Sequence, residues 1–188
     1  RAGLAALLLH LGLDAGQLSR FGTQQAGQAA KTLQQGIREA QYRLPGHAGA
    51  QQQGQQLGIT EGALRLTSAY AKTREQFGRP IGTFQAVSQR LADGYIDVLG
   101  QRLTLWQAAW RLDEGLPAET EVAIAKLWAA DAGHRLAHTT VHVHGGVGID
   151  LDGEAHRYFT EAKRFEFQGG GATEQALAVG RALAAEPA

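Results

Sequence analysis

Residues 84–113 read FQAVSQRLADGYIDVLGQRLTLWQAAWRLD, and the placement of large apolar residues within them decides the fold class. Ile96, Leu99, Leu103, Trp106 and Trp110 step by 3, 4, 3 and 4 positions, which keeps them on one helical face. A second stripe of Leu91, Tyr95, Val98 and Leu105 widens the apolar sector. The helix is therefore expected to be covered over much of its circumference, as in a bundle. Thr83 stands where an N-cap hydroxyl is expected. Trp106 and Trp110 are expected in the bundle core or between bundles, since an indole in such a stripe is more often packing than ligand contact.

The pattern extends in both directions. Upstream, a first helix is expected from Leu57 to about Gln76, with Ile59, Leu64, Leu66 and Tyr70 as apolar anchors and Glu61–Arg65 as an i,i+4 pair. Gly78-Arg79-Pro80-Ile81-Gly82 stops it, because proline removes a donor and restrains its predecessor. Downstream, Glu114-Gly115-Leu116-Pro117 makes a turn. A third helix follows, Glu119 to His142, with Glu119 and Glu121 complementing the dipole of its first turn. Shorter helices are expected at Glu154–Phe165 and Ala172–Leu183, separated by Gly169-Gly170-Gly171. Strand alternation is scarce. The fold class is all-α, an up-and-down four-helix-type bundle with short extra helices.

Composition narrows the function classes. The chain has 188 residues, 18 Lys+Arg against 18 Asp+Glu, and neither Cys nor Met. Balanced charge removes the electrostatic argument for nucleic acid or an anionic membrane. Without cysteine there is no disulfide framework, zinc ribbon or thiolate nucleophile. The longest apolar run, Leu4 to Leu9, is too short to span a bilayer, and no cationic stretch precedes it. A soluble cytoplasmic protein is the expectation. Eleven glutamines fall between Gln24 and Gln56, interleaved with Gly and Ala. Residues 1–56 are accordingly expected to be a poorly packed segment, with a short amphipathic helix near residues 1–13, and 57–188 the folded domain.

Two local patterns invite chemistry. His138, His142 and His144 have helical spacing for two of the three, but no Glu forms an H-E-x-x-H arrangement and no carboxylate completes a site, so no metal is expected. His134 and His156 read as surface or packing histidines. Gly145-Gly146-Val147-Gly148 follows a helix rather than a strand, which excludes a Rossmann fingerprint. It is either a helix C-cap with a turn or a place where bare backbone lets a ligand come close.

The stretch Tyr70-Ala71-Lys72-Thr73-Arg74-Glu75-Gln76-Phe77-Gly78-Arg79-Pro80-Ile81-Gly82-Thr83-Phe84-Gln85-Ala86-Val87, with Arg90-Leu91-Ala92-Asp93 after it, resembles the carboxy-terminal helical domain of acyl-CoA dehydrogenases. The likeness continues through Ala125-Lys126-Leu127-Trp128, Val143-His144-Gly145-Gly146-Val147-Gly148, His156-Arg157-Tyr158-Phe159 and Ala162-Lys163, in order, over about Leu57 to Ala185. Members of that family are flavoproteins that dehydrogenate acyl-CoA thioesters between the α and β carbons. The resemblance implies FAD as cofactor. It assigns Arg74 to the FAD pyrophosphate across a subunit interface, Phe77 to packing on the cofactor, and Gln85 to the adenine end of that half-site. Gly145 and Gly146 match the glycine pair that approaches the cofactor, His142 stands where the family usually has Gln, and Thr173 would offer its hydroxyl or N–H.

One departure bears on mechanism. The family base, a Glu, aligns with Gly169 in Phe167-Gln168-Gly169-Gly170-Gly171, and glycine cannot abstract an α-proton. In relatives with a relocated base the position falls near Ala48-Gly49, and no carboxylate lies between Glu39 and Glu61. Glu166 and Glu174 are the nearest acids in sequence, and both read as helix-end residues. No catalytic residue is therefore assigned. The family also has an amino-terminal helical domain and a central β domain that residues 1–56 are too few to supply, which implies a partner, a further part of the polypeptide, or a fragment.

The leading expectation is a subunit of a heteromeric acyl-CoA dehydrogenase that lends FAD half-site residues to a related, base-bearing subunit in a heterotetramer. Some family members acting on steroid-derived CoA esters are built this way. The alternatives are an independent enzyme with a relocated base and a structural helical partner without flavin.

Overall fold

A computed structural model of the chain describes residues 46–185. The expected helix near residues 1–13 and the Gln-rich stretch up to residue 45 lie outside the described residues. Five helices follow in order: α1 Gly46–Thr73, α2 Gln85–Asp113, α3 Glu119–His144, α4 Ala155–Phe167 and α5 Ala172–Ala185. A two-residue antiparallel hairpin, β1 Glu75–Gln76 with β2 Arg79–Pro80, and a 3-10 turn, Ile81–Thr83, join α1 to α2. The all-α bundle is the observed class.

The centre is α3, which packs against all four other helices. Its inward positions are small: Ala125, Ala129, Ala130, Ala132 and Ala137 are each at most 1% exposed, so backbones approach closely. Gly133 belongs to the same surface. A Cβ there would collide with the Gln56 side-chain amide of α1.

That amide shows where the glutamines go. α1 begins at Gly46, eleven residues before the expected Leu57, and runs through the expected boundary at residue 56. Gln53 and Gln56 are buried, and their amides donate to carbonyls of α3, Val122 O at 3.2 Å and Ala129 O at 2.6 Å. Thr60 Oγ1 donates to Gln101 Oε1 of α2 at 2.8 Å, and Thr67 Oγ1 bonds Thr140 Oγ1 of α3 at 3.1 Å. Buried polar groups are tolerated when paired, and much of this core is polar rather than branched and apolar, with Gln53 Oε1 and Gln101 Nε2 buried without a partner among the described residues.

Three expectations change. The inward face of α2 is Gly94, Asp97, Val98, Gln101, Leu105 and Ala108, not the Ile96–Trp110 stripe. Small or polar residues suit close contact with the alanine face of α3, whereas Trp106 and Trp110 are 46% and 55% exposed and lie outside the core of this bundle. Thr83 does not cap α2. Its hydroxyl donates to Pro80 O at 2.7 Å, and Phe84 holds the N-cap position without a side-chain bond. Glu61 pairs across helices with Arg102 at 2.5 Å rather than along its own helix with Arg65.

Candidate functional site

The direction of the helices sorts the candidate residues. Gln53 meets Val122 near the starts of α1 and α3, and Tyr70 stacks on His144 near their ends, so the two helices run parallel. The end of α4 lies beside the start of α3, where Lys126 Nζ donates to Phe165 O at 2.6 Å and Glu166 O at 3.3 Å. One end of the bundle thus carries the α1–α2 hairpin and the Gly145 turn. The other carries Gly169–Gly171 and the first turn of α5.

At the hairpin end, the backbone N–H of Arg74 still bonds Tyr70 O at 2.8 Å, and Arg74 O accepts from Ile81 N at 2.8 Å, closing the loop. The two turn residues, Phe77 and Gly78, have φ of +53° and +75°. Such a pair of left-handed residues gives the hairpin turn whose twist matches its strands. Glycine or Asn is at ease there, but a phenylalanine is strained by about 1–2 kcal/mol. Phe77 is held outward, 94% exposed, with its ring edge-on to Phe84 at 6.1 Å. The Arg79 guanidinium covers the Phe84 ring at 4.2 Å. Arg74 is exposed, and its guanidinium has no partner among the described residues. Gln85, the first residue of α2, is exposed beside them.

The second part of this end is the α3 terminus. Gly145 has φ +65° and donates to Val141 O and His142 O, as a helix-terminating residue does. Nothing lies within 4 Å of where side chains on Gly145 or Gly146 would begin. Gly148 differs: a Cβ there would stand 2.7 Å from Val141 O, so its bareness serves packing. His142 is exposed. His144 is buried, with Nδ1 2.8 Å from Thr140 O, the geometry of an N–H donating to that carbonyl. Its ring stacks on Tyr70 at 4.3 Å and 22°. Tyr70 is one turn before Arg74 and His144 immediately precedes Gly145, so this stack ties the two exposed clusters together. In the sequence Tyr70 reads as an apolar anchor and His144 only as a metal-ligand candidate, so this joining role goes unread although both stand inside the motifs quoted there.

Arg74, Phe77, Gln85, His142, Gly145 and Gly146 therefore gather at one end. Thr173 does not join them. It is exposed in the first turn of α5, at the opposite end, with the Gly169 turn. There Gly169 and Gly170 have φ of +77° and +96°. A Cβ on Gly169 would meet Gln52 Oε1 at 3.4 Å, and one on Gly170 would stand 2.5 Å from Glu174 Oε2. The Glu174 carboxylate thus folds back over the turn. Glu166 is directed elsewhere, accepting from Lys163 Nζ at 2.6 Å and lying 3.1 Å from His134 Nδ1. Burial alone would raise its pKa, but these hydrogen bonds and charges hold it below the usual carboxylate value. Among the described residues, no three His, Cys, Asp or Glu side chains cluster as metal ligands, and no helix is long and apolar enough to cross a membrane.

These features define a helical-bundle domain that turns its ligand-type residues outward. Residues 34–184 match the model of the acyl-CoA dehydrogenase C-terminal domain, and the chain belongs to that family, whose cofactor is FAD. It is 61% identical over 141 residues to acyl-CoA dehydrogenase FadE27 of Mycobacterium tuberculosis, covering 71% of this chain and 38% of that relative. A chain in the crystal structure of the ChsE4–ChsE5 complex from Mycobacterium tuberculosis superposes with a TM-score of 0.74 at 60% identity, covering 76% of this chain and 39% of that one. A chain of the Tcur3481–Tcur3483 steroid ACAD superposes with a TM-score of 0.72 at 41% identity, covering 74% and 38%. The chain spans well under half the length of these relatives.

Proposed function

We propose that this chain is a subunit of an FAD-dependent acyl-CoA dehydrogenase that contributes half of a flavin site to a related, base-bearing subunit and carries no catalytic base of its own. What supports this reading is the common exposure of Arg74, Phe77, Gln85, His142, Gly145 and Gly146 at one end of the bundle. An unpaired guanidinium suits the fork geometry of a diphosphate. Open space beyond two bare glycines suits a close-lying cofactor. A strained, outward aromatic is what a residue packing on something outside its own domain requires.

FAD held there would supply the two-electron oxidising power that α,β-dehydrogenation of a thioester requires. The chain's own residues grip the diphosphate (Arg74 and the Gly145–Gly146 backbone) and cover the rings' flank (Phe77). Thr173, at the far end beside Gly169, would serve a different contact from the other six. The likeness to a steroid ACAD and to an unlike-subunit complex supports a bulky, steroid-derived acyl-CoA thioester as substrate and a heterotetramer as the assembly.

The test is turnover. The purified chain alone should not dehydrogenate a steroid-side-chain CoA thioester, and activity should emerge with the partner subunit. Turnover by this chain alone overturns the division of labour. A second reading, an enzyme with a relocated base, draws support from the Glu174 carboxylate over Gly170. Glu174→Gln separates the two: loss of α-proton exchange in the assembled enzyme favours the second, and unchanged exchange favours the first.

A further inference from the structure

The Tyr70–His144 stack is the last hydrogen bond or ring contact between α1 and α3 before both helices give way to exposed residues. Behind it the two helices are joined by paired polar groups, the nearest being the Thr67–Thr140 hydroxyls one turn back. Ahead of it stand Arg74 and Phe77 on one side and Gly145 and Gly146 on the other. Among the described residues, no other hydrogen bond, ion pair or ring contact joins the α1–α2 hairpin to the glycine turn. The relative placement of the two exposed clusters therefore passes through this one pair of rings.

Each ring is fixed to the segment that follows it. The Arg74 N–H bonds Tyr70 O at 2.8 Å, so Arg74 rides one helical turn beyond the phenol ring. A Cβ on Gly82 would stand 3.0 Å from Ala71 O, so the chain returning from the hairpin lies close against the last turn of α1. On the other side His144 is 8% exposed, and the bond from Nδ1 to Thr140 O at 2.8 Å sets the plane of its ring. The Gly145 N–H turns back to Val141 O and His142 O, and a Cβ on Gly148 would stand 3.1 Å from the His144 Cβ, so the glycine turn folds down onto this residue. A leucine could fill the space of the imidazole, but it has neither the donor that fixes the ring nor the flat face on which Tyr70 lies at 22°. We infer, on the half-site reading above, that Tyr70 and His144 are positioning residues: their stack sets the gap between the Arg74 guanidinium and the Gly145–Gly146 backbone, the two groups that would grip the diphosphate. The physical reason is preorganisation, since a clamp already held at its working separation loses no binding energy to being ordered.

The test uses the assembled enzyme, with flavin retention read by absorbance after gel filtration. Tyr70→Leu removes the flat ring and should weaken retention about tenfold, the scale of coupling between neighbouring groups. Tyr70→Phe keeps the ring and should retain flavin as the wild type does, because the Tyr70 hydroxyl has no partner among the described residues. His144→Asn offers an amide donor to Thr140 O without a ring, and it should match Tyr70→Leu; it carries the test where Tyr70→Leu fails to fold. Hydrogen exchange gives a second readout. In both ring-deleted variants the Ile81 and Gly145 amides should exchange faster, while amides in the middle of α3 keep their wild-type rates. Arg74→Gln leaves the stack intact and is the control for exchange caused by lost flavin alone. Wild-type exchange at Ile81 and Gly145 in both ring-deleted variants overturns the inference, and so does a Tyr70→Phe loss equal to that of Tyr70→Leu. Adding Arg74→Gln to Tyr70→Leu should cost less than it does in the wild-type chain, because the guanidinium is already displaced. Equal costs mean that the stack does not position Arg74, which also overturns it. If Arg74→Gln alone retains flavin, the half-site reading fails, whereas the two amides still report whether the stack holds the hairpin to the glycine turn.

Discussion

Along α1 and α3 the side chains follow one rule through most of the length and the opposite rule at the shared end. From Gln53 to Thr67, inward residues of α1 are buried, Gln53, Gln56 and Thr67 bonded to α3 and Thr60 to α2. One or two turns further on, Arg74, Phe77, His142, Gly145 and Gly146 are all exposed, and one of them is in a strained backbone conformation. The Tyr70–His144 stack stands at the changeover. The difference separates residues that hold the fold from residues that the fold holds out, and each class should respond to mutation in its own way.

The largest expected effect lies in the packed part. Gly133→Leu forces a side chain into the space of the Gln56 amide, and overpacking of this kind costs about 2–3 kcal/mol. Denaturant midpoints would register the loss, and the folded fraction should still retain flavin with its partner. Unchanged stability would mean that the α1–α3 contact is looser than its buried amides imply. At the exposed end, Arg74→Gln should leave stability within about 0.5 kcal/mol, as surface changes do. Flavin retention by the assembled enzyme should fall at least about tenfold, or about 1.4 kcal/mol. A stability loss matching that of Gly133→Leu would erase the distinction between the two regions.

Phe77→Asn sharpens it further, because the two readouts should move in opposite directions. Asparagine before Gly78 is well suited to the left-handed turn, so relief of strain should raise stability by about 1 kcal/mol. The same change removes the outward ring and should weaken flavin retention. This is the trade expected where a functional residue is kept against its backbone preference. A destabilised Phe77→Asn would show instead that the Phe77–Phe84 contact holds the hairpin.

How much of this was legible follows the same division. Helix order and the all-α class were readable, because glycine and proline punctuate the long segments. The exposed end was readable only through resemblance: nothing in the spacing of Arg74, Phe77 and Gly145 says that they meet. The core was misread where polarity and burial disagree. Gln53 and Gln56 look like solvent residues, and of the two places expected for Trp106 and Trp110, the core or between bundles, the core of this bundle is excluded. The available signal was the alanine run of α3 with Gly133, which leaves room for the Gln56 amide, as Gly100 of α2 leaves room for the Trp128 indole of α3. The hairpin was missed because Phe-Gly is not the usual turn pair, and Thr83 because a hydroxyl before a helix can bond backward as well as forward.

The smallest expected effect concerns the His134–His138–Lys163–Glu166 cluster between α3 and α4, which belongs to neither region. Burial, together with the charges of His134 and Lys163, lowers the His138 pKa from its ordinary 6.5, against a weaker opposing pull from Glu166. The unfolded chain therefore binds a proton at this site first, so stability falls as pH drops from about 6.5 toward the lower folded value. Glu166 has a depressed pKa, so its contribution is present above its ordinary 4.5 and is lost as pH falls through the folded value. The two losses have the same sign in separate windows. Solvent screening keeps each below about 1 kcal/mol. Thermal midpoints between pH 8 and pH 3.5 should show two shallow declines. His138→Gln should flatten the upper one and Glu166→Gln the lower. If both variants kept the wild-type profile, acid sensitivity would have to come from elsewhere. If either altered flavin retention at pH 8, the cluster would belong with the exposed end after all.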